Sequence, residues 1–306
     1  MSHKIVIGSR GSKLALIQAK YVADQINILN PGIETEIRTI VTEGDHNRKI
    51  SIKETDSTGI FVKALEEALL EDTIDIAVHS MKDLPTTLPD HLCLTAATIR
   101  LDARDALVAR TTLNKLKPGC RIGTGSLRRT LQLKNVRRDI DVCAIRGNID
   151  TRLRKVSSGE LDGIIVSAAA MQRLGWEDKI TEYLPLDQFL PAVGQGSLAL
   201  EAKRADEHTI GMARSINHFP TWQAITAERA FLHTLGGGCC APISALATVN
   251  NGLIRITGMI IDPSGVKTLK DSEVGDMQNP AKIGIKLANK MLDSGADKII
   301  KDARCL

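Results

Sequence analysis

The spacing of apolar positions changes period several times along the first hundred residues. Residues 4–7 read as a strand, "GSRGS" as a loop, and 14–29 as an amphipathic helix stopped by Asn30-Pro31-Gly32. Residues 33–41 alternate as a half-buried strand does, and 42–59 form a polar stretch without period, read as a lid. A helix over 60–70 then leads to the buried strand of "TIDIAVHS". Strands alternating with helices predict α/β layers with largely parallel strands. A weak internal echo supports two similar lobes. "IGSRGSKLALIQ" at 7–18 and "IGTGSLRRTLQL" at 122–133 each place a Gly/Ser/Thr turn bearing arginine between a strand and a helix start. The exposed N–H groups of a helix N-terminus favour anions, so two such turns suggest two lobes facing one cleft.

After Pro191, "PAVGQGSLALEA" reads as a connector returning to the first lobe, followed by a helix over about 221–235. The tail then changes character. Residues 245–261 read as two strands around an Asn251-Gly252 hairpin turn, "DPSG" as a further turn, and 282–292 as an amphipathic helix. The expected domains are 1–98 with 196–214, 102–191, and a small α+β domain at 219–306.

Composition sharpens this picture. The chain has 306 residues, too many for one ordinary core; 43% are hydrophobic and only 3% aromatic, so the cores are aliphatic and stacking platforms for bases are few. Apolar stretches such as 163–171 are far too short to span a bilayer, and the first residues carry no apolar signal region. Six cysteines, at 93, 120, 143, 239, 240 and 305, show no paired spacing. We expect most of them to be buried, reduced small hydrophobes in a cytoplasmic protein. The net charge of +4 is unevenly spread: 121–155 holds eight Arg and two Lys against three Asp. That segment should meet something carrying several negative charges.

Three stretches carry chemistry. Arg128, Arg129, Arg146 and Arg152 fall near turns after expected strands, where α/β sheets bind ligands, and guanidiniums match carboxylates or phosphates. Arg137 and Arg138 read instead as a solvated basic face. "HSMKDLP" at 79–85 puts Lys82 and Asp83 on a loop, where a carboxylate can move a proton or face a cation; the plainer alternative is a loop salt bridge. "LGGGCCAP" at 235–242 sets two cysteines behind three glycines that let a bulky group approach closely. A thiol there is either a nucleophile without a histidine-bearing protease signature or an ordinary residue of a helix-ending turn.

Together these stretches resemble the hydroxymethylbilane synthase (porphobilinogen deaminase) family along essentially the whole chain. The match runs through "GSRGSKLALIQA", "GIFVKALEEALL", "DIAVHSMKDLP", "LDARDALV", "IGTGSLRR", "IRGNIDTRL", "LPAVGQG", "TAERAFL" and "GGGCCAP", in that order. The resemblance implies three α/β domains, two of them hinged like type II periplasmic binding proteins. It implies a monomeric cytoplasmic transferase that joins porphobilinogen head to tail with loss of ammonia, without nucleic acid or membrane partners and without a metal. It further implies a dipyrromethane cofactor bonded to Cys239, with Cys240 a bystander. Asp83 and Lys82 become the catalytic pair, and Thr124, Ser126, Arg128, Arg129, Arg146, Gly147 and Gln195 join them in holding the cofactor. Arg10, Ser12, Gln18, Phe61, Arg146 and Arg152 become the substrate contacts, and Asp105 an ion-pair partner supporting the site.

The chain departs from the family pattern in places. Glu54 and Thr58, with Lys53 one residue away, stand where relatives carry lid lysines; Gly125 replaces a common serine, Gly11 a polar residue and Gly236 an acidic one. The competing readings are a bilobal binding protein for small polyanions without catalysis, and a nucleic-acid binder with steep salt dependence.

Overall fold

The computed structural model describes residues 3–40, 57–237 and 241–303, with the side chains of 3 and 57–61 excepted. The lid stretch up to residue 56, with Lys53 and Glu54, and the Cys239-Cys240 pair lie outside the described residues, as do the side chains of Thr58 and Phe61.

The chain forms two compact units, Met1–Arg100 with Ser197–Trp222, and Leu101–Gly196 with Gln223–Leu306. The first unit holds β1 (His3–Arg10), α1 (Lys13–Leu29), β2 (Ile33–Ile40), α2 (Ser57–Leu70), β3 (Ile76–Ser80) and β4 (Leu92–Ala97). The returning chain adds β10 (Leu198–Lys203) and α6 (Glu207–Arg214). The sheet order is β2-β1-β3-β10-β4, in which β10 alone runs antiparallel to its neighbours. Helix α1 buries Ala19, Val22, Ala23 and Ile26, the spacing of one helical face, against Ile5, Ile7, Ile76 and Val78. Removing side chains the size of Val22 or Ile26 from water contributes about 1.5–3 kcal/mol each. On the other face α2 packs Leu65 and Leu69 against Ala77. The strand expected at 4–7 runs on to Arg10, because Gly8 and Ser9 continue the pairing with β2 and Ser9 is buried; only residues 11–12 form the turn.

The second unit contains two sheets. The strands β5 (Asp105–Ala109), β6 (Arg121–Thr124), β7 (Asp141–Ala144), β8 (Gly163–Ser167) and β9 (Glu182–Tyr183) order as β7-β6-β8-β5-β9, with β5 alone reversed. Their helices are α3 (Leu127–Val136), α4 (Ile149–Ser157) and α5 (Ala168–Leu174). After α7 (Phe219–Thr234), β11 (Ile243–Asn250), β12 (Leu253–Ile261) and β13 (Thr268–Asp276) form an antiparallel meander backed by α8 (Pro280–Asp293) and α9 (Ala296–Ala303). The expected hairpin turn holds: Asn251 and Gly252 take φ of 48° and 76°, as a tight turn of that twist requires. Strand β13 and helix α9 were not expected. The two sheets are tied by Gln132, whose Nε2 donates to Ser244 Oγ at 3.0 Å, and by Asn135 Nδ2 donating to the Gly265 carbonyl at 2.9 Å.

Two smaller expectations are corrected. Cys93, Cys120 and Cys143 are free but only partly buried. Arg137 is no solvated residue: it donates to the Leu113 and Leu116 carbonyls and pairs with Asp139 at 2.7 Å, closing the end of α3 onto the preceding loop.

Candidate functional site

In the first unit, β1 ends at Arg10 and hands over to α1 through Ser12. The Ser12 Oγ accepts from the Ala15 N–H at 3.3 Å and so satisfies one of the helix's unpaired donors. Two turns along α1 the buried Gln18 donates Nε2 to Ser80 Oγ at 3.0 Å, fixing the last residue of β3. A single tight 3₁₀ turn, Met81–Asp83, follows. It is held because Met81 is buried and its N–H donates to the Ser197 carbonyl at 3.0 Å. This leaves Lys82 and Asp83 half-buried on a rigid turn. Arg10, Ser12, Gln18, Ser80 and Asp83 line one small cavity of about 90 Å³. Four of the residues named from sequence, Arg10, Ser12, Gln18 and Asp83, therefore meet; Lys82 does not line that cavity.

The second unit presents the echoing turn. Thr124 ends β6, and its Oγ1 accepts from the Ser126 N–H at 3.2 Å, but no side chain caps the first turn of α3. Arg128 and Arg129 are not in the turn, as the sequence suggested, but inside α3 and only 6% exposed. The wholly buried Asp105 explains how: its carboxylate accepts from Arg128 Nη1 at 2.7 Å, from Arg129 Nη2 at 2.7 Å and Nε at 3.0 Å, and from Gln195 Nε2 at 2.8 Å. Arg128 Nη1 also donates to Gln132 and to the Leu190 carbonyl. Burial alone would raise the Asp105 pKa, but the charges of Arg128 and Arg129 outweigh it and hold the carboxyl well below the ordinary range. Burial lowers the pKa of Arg128, with the Asp105 charge acting in the opposite direction.

Beside it stands the turn from β7 into α4. Arg146 is exposed, Gly147 adopts φ +103°, and Asn148 caps α4 by accepting from the Thr151 N–H at 3.3 Å. Arg152 donates Nε to the Gly147 carbonyl at 2.8 Å; burial and then the Arg129 charge lower its pKa. A Cβ at Gly125 would lie 2.7 Å from the Ile145 carbonyl and 4.0 Å from Arg152 Nη2, so the glycine lets the two turns close on one another. Thr124, Ser126, Arg146, Gly147 and Arg152 are thus assembled on adjacent turns, while Arg128, Arg129 and Gln195 form the layer beneath.

Sequence reasoning missed one feature of the first unit. His79 and the wholly buried Glu201 pair at 2.9 Å. The available signal was a glutamate inside the otherwise apolar run "SLALEA". Among the described residues no group of His, Cys, Asp and Glu is arranged to hold a metal. No helix among them is long and apolar enough to cross a membrane.

The first unit thus sets a carboxylate on a rigid turn and the second a cation-rich pair of turns, each on its own α/β sheet, groups suited to an enzyme that handles a charged molecule. Residues 5–211 match the model described as porphobilinogen deaminase, dipyrromethane cofactor binding domain, and 222–293 that of the porphobilinogen deaminase C-terminal domain. The chain is 42% identical over 299 residues to the porphobilinogen deaminase of Brevibacillus brevis, covering 97% of this chain and 96% of that one. It is also 42% identical over 306 residues to that of Carboxydothermus hydrogenoformans, covering 99% and 98%. Among solved structures it is similar to a periplasmic substrate-binding protein of an ABC transporter from Coxiella burnetii, at 13% identity and a TM-score of 0.44, covering 74% of this chain and 96% of that one. The chain belongs to the porphobilinogen deaminase family. It is a transferase that uses a dipyrromethane cofactor.

Proposed function

We propose that this chain joins porphobilinogen units head to tail to give linear hydroxymethylbilane, with Asp83 as the carboxylate the reaction turns on. The observation that carries this is Asp83 on a braced turn, sharing a cavity with the Arg10, Ser12 and Gln18 side chains. Porphobilinogen carries acetate and propionate groups, which suit Arg10, and an aminomethyl group whose carbon–nitrogen bond must break. When that bond breaks, its electron pair leaves on nitrogen as ammonia and the methylene carbon becomes cationic. The amine leaves from its protonated form; Asp83 stands against the cation left behind and, once the new carbon–carbon bond has formed, accepts the proton lost from the attacked pyrrole carbon and releases it to solvent. Lys82 on the same turn supplies a cation for a ring carboxylate.

The donor chemistry of the second unit fits a dipyrromethane. Its ring carboxylates call for guanidiniums, hydroxyls and free backbone N–H groups, and the turns at Thr124, Ser126, Arg146, Gly147 and Arg152 offer all three. Those residues and Arg129 would hold the cofactor. Arg128 and Gln195 act through Asp105 and Arg129, which they lock in place. Arg146 and Arg152 also serve the lengthening chain. When bound, the group supplies a covalent anchor and a nucleophilic pyrrole carbon, and Cys239 would carry it through a thioether. Phe61 would stack on a pyrrole. We further read the chain as a cytoplasmic monomer acting on a small molecule with no nucleic-acid partner; the free Cys93, Cys120 and Cys143 suit a reducing compartment.

Intact mass of protein made in cells that produce porphobilinogen tests the assignment. Wild type and Cys240→Ala should carry one added dipyrromethane, and Cys239→Ala none. An unmodified wild-type chain that still turns over would overturn it.

A further inference from the structure

Beneath the Asp83 turn the first unit buries a second charged array. His79 pairs with Ala199 and Ala77 with Glu201 in the β3–β10 register, so His79 and Glu201 project as diagonal neighbours from one sheet face. That face is covered by α2, whose Leu65 and Leu69 pack on Ala77. Glu66, on the same helix, has its pKa raised by burial and then by the Glu201 charge, with His79 acting in the opposite direction. Glu201 is wholly buried. Its Oε2 lies 2.9 Å from His79 Nε2, and its Oε1 has no hydrogen-bond partner among the described residues.

A buried carboxylate with one open oxygen is costly, and an apolar residue would serve the fold better. The neighbours of Glu201 on β10 are Leu198, Ala199, Leu200 and Ala202, all buried, so packing gives no reason for a charge there. His79 lines the cavity that holds Asp83, Arg10 and Gln18, and so does Val62, one helical turn before Glu66 on α2.

We propose that His79 and Glu201 form a positioning pair for the reaction. The buried carboxylate fixes the imidazole through its Nε2, and the ring so held sets the last residues of β3 and the turn from Ser80 to Asp83 that follows them. The charged groups near His79 are Glu201 from β10, Glu66 from α2, and Arg10 and Asp83, which line the same cavity. Loss of either partner frees the other and weakens the support of the turn.

The inference rests on Asp83 being the working carboxylate, so Asp83→Asn is the control. Glu201→Gln and His79→Gln are compared with wild type as cofactor-loaded enzymes across the pH range of activity. The expected result is kcat lowered about tenfold with KM little changed in both variants, because the lost effect acts only in the transition state. Folded Glu201→Gln enzyme with wild-type kcat, beside an inactive Asp83→Asn, would overturn the pair alone. An active Asp83→Asn would overturn the underlying reading instead. Should the variants not fold, wild type decides. Val78-His79 is the one Val-His pair in the chain, so selective labelling assigns that ring by NMR. A ring whose shifts move when porphobilinogen is added supports the pair, and a ring unmoved by substrate overturns it.

Discussion

Strands β5 and β10 occupy the same place in their two sheets: each is fourth in order and each alone is reversed. Each also carries a wholly buried carboxylate, Asp105 on β5 and Glu201 on β10. Their surroundings are opposite. Asp105 is saturated by two guanidiniums and an amide, leaving more base than acid around it. Glu201 shares one imidazole with Glu66 nearby and keeps an open oxygen, leaving more acid than base. One scaffold position thus stores positive charge in one unit and negative charge in the other. The division matches the proposed work: guanidiniums for a polyanionic pyrrole chain, carboxylates for a cation that forms when ammonia departs.

The harshest way to break this comparison is at Asp83. Asp83→Ala should lower kcat by roughly 10²–10⁴-fold, the usual contribution of a positioned acid–base group. The added dipyrromethane should remain visible by intact mass, since the cationic unit is untouched. A loss below tenfold would mean that the acidic unit does not carry the chemistry.

Asp105→Asn attacks the other half. It leaves Arg128 and Arg129 buried without their counter-charge and should cost about 3–5 kcal/mol, read from denaturant unfolding. Because the Arg128 and Arg129 charges, outweighing burial, hold the Asp105 pKa below its ordinary value, its stabilising contribution is fully present above the unfolded-state pKa of about 3.9. It is lost as pH falls toward the folded value. The gap between wild type and Asp105→Asn should therefore be constant above about pH 5 and narrow below about pH 4. A gap that widens in acid would show that the arginines do not depend on this carboxylate.

How much of this was legible in the sequence depended on how local each feature is. The echo between "IGSRGS" and "IGTGSLRR" marked equivalent positions correctly: β1 and β6 are each second in their sheets, with parallel neighbours on both sides. It did not reveal that Ser12 caps its helix whereas Ser126 caps none, because that depends on how each turn closes. Arg128 and Arg129 were named, but their burial was not visible, since Asp105 lies more than twenty residues away. The His79–Glu201 pair spans 122 positions and exists only once β3 and β10 are adjacent and antiparallel. Strand β13 was missed because "TLKDSEVGD" places polar residues on both faces of a sheet edge, which erases the alternation that betrays half-buried strands. Arg137 was misread because two of its three acceptor groups are backbone carbonyls more than twenty residues away, which sequence does not display.

The gentlest test sharpens the claim that the first unit carries surplus acid. Burial first, and then the Glu201 charge, raise the Glu66 pKa above its unfolded value, so the ionised form is disfavoured in the folded chain. Its contribution is favourable only below the unfolded pKa of about 4.3 and is lost as pH rises through the folded value. Glu66→Gln should therefore raise Tm slightly at neutral and higher pH and match wild type in acid, the reverse of the pattern at Asp105. The shift should stay small, because Glu66 is only partly buried and solvent screens much of the repulsion. If Glu66→Gln instead lowered Tm at high pH, Glu66 would be a paired, stabilising carboxylate. The contrast between an acid-rich and a base-rich unit would then lose its first member.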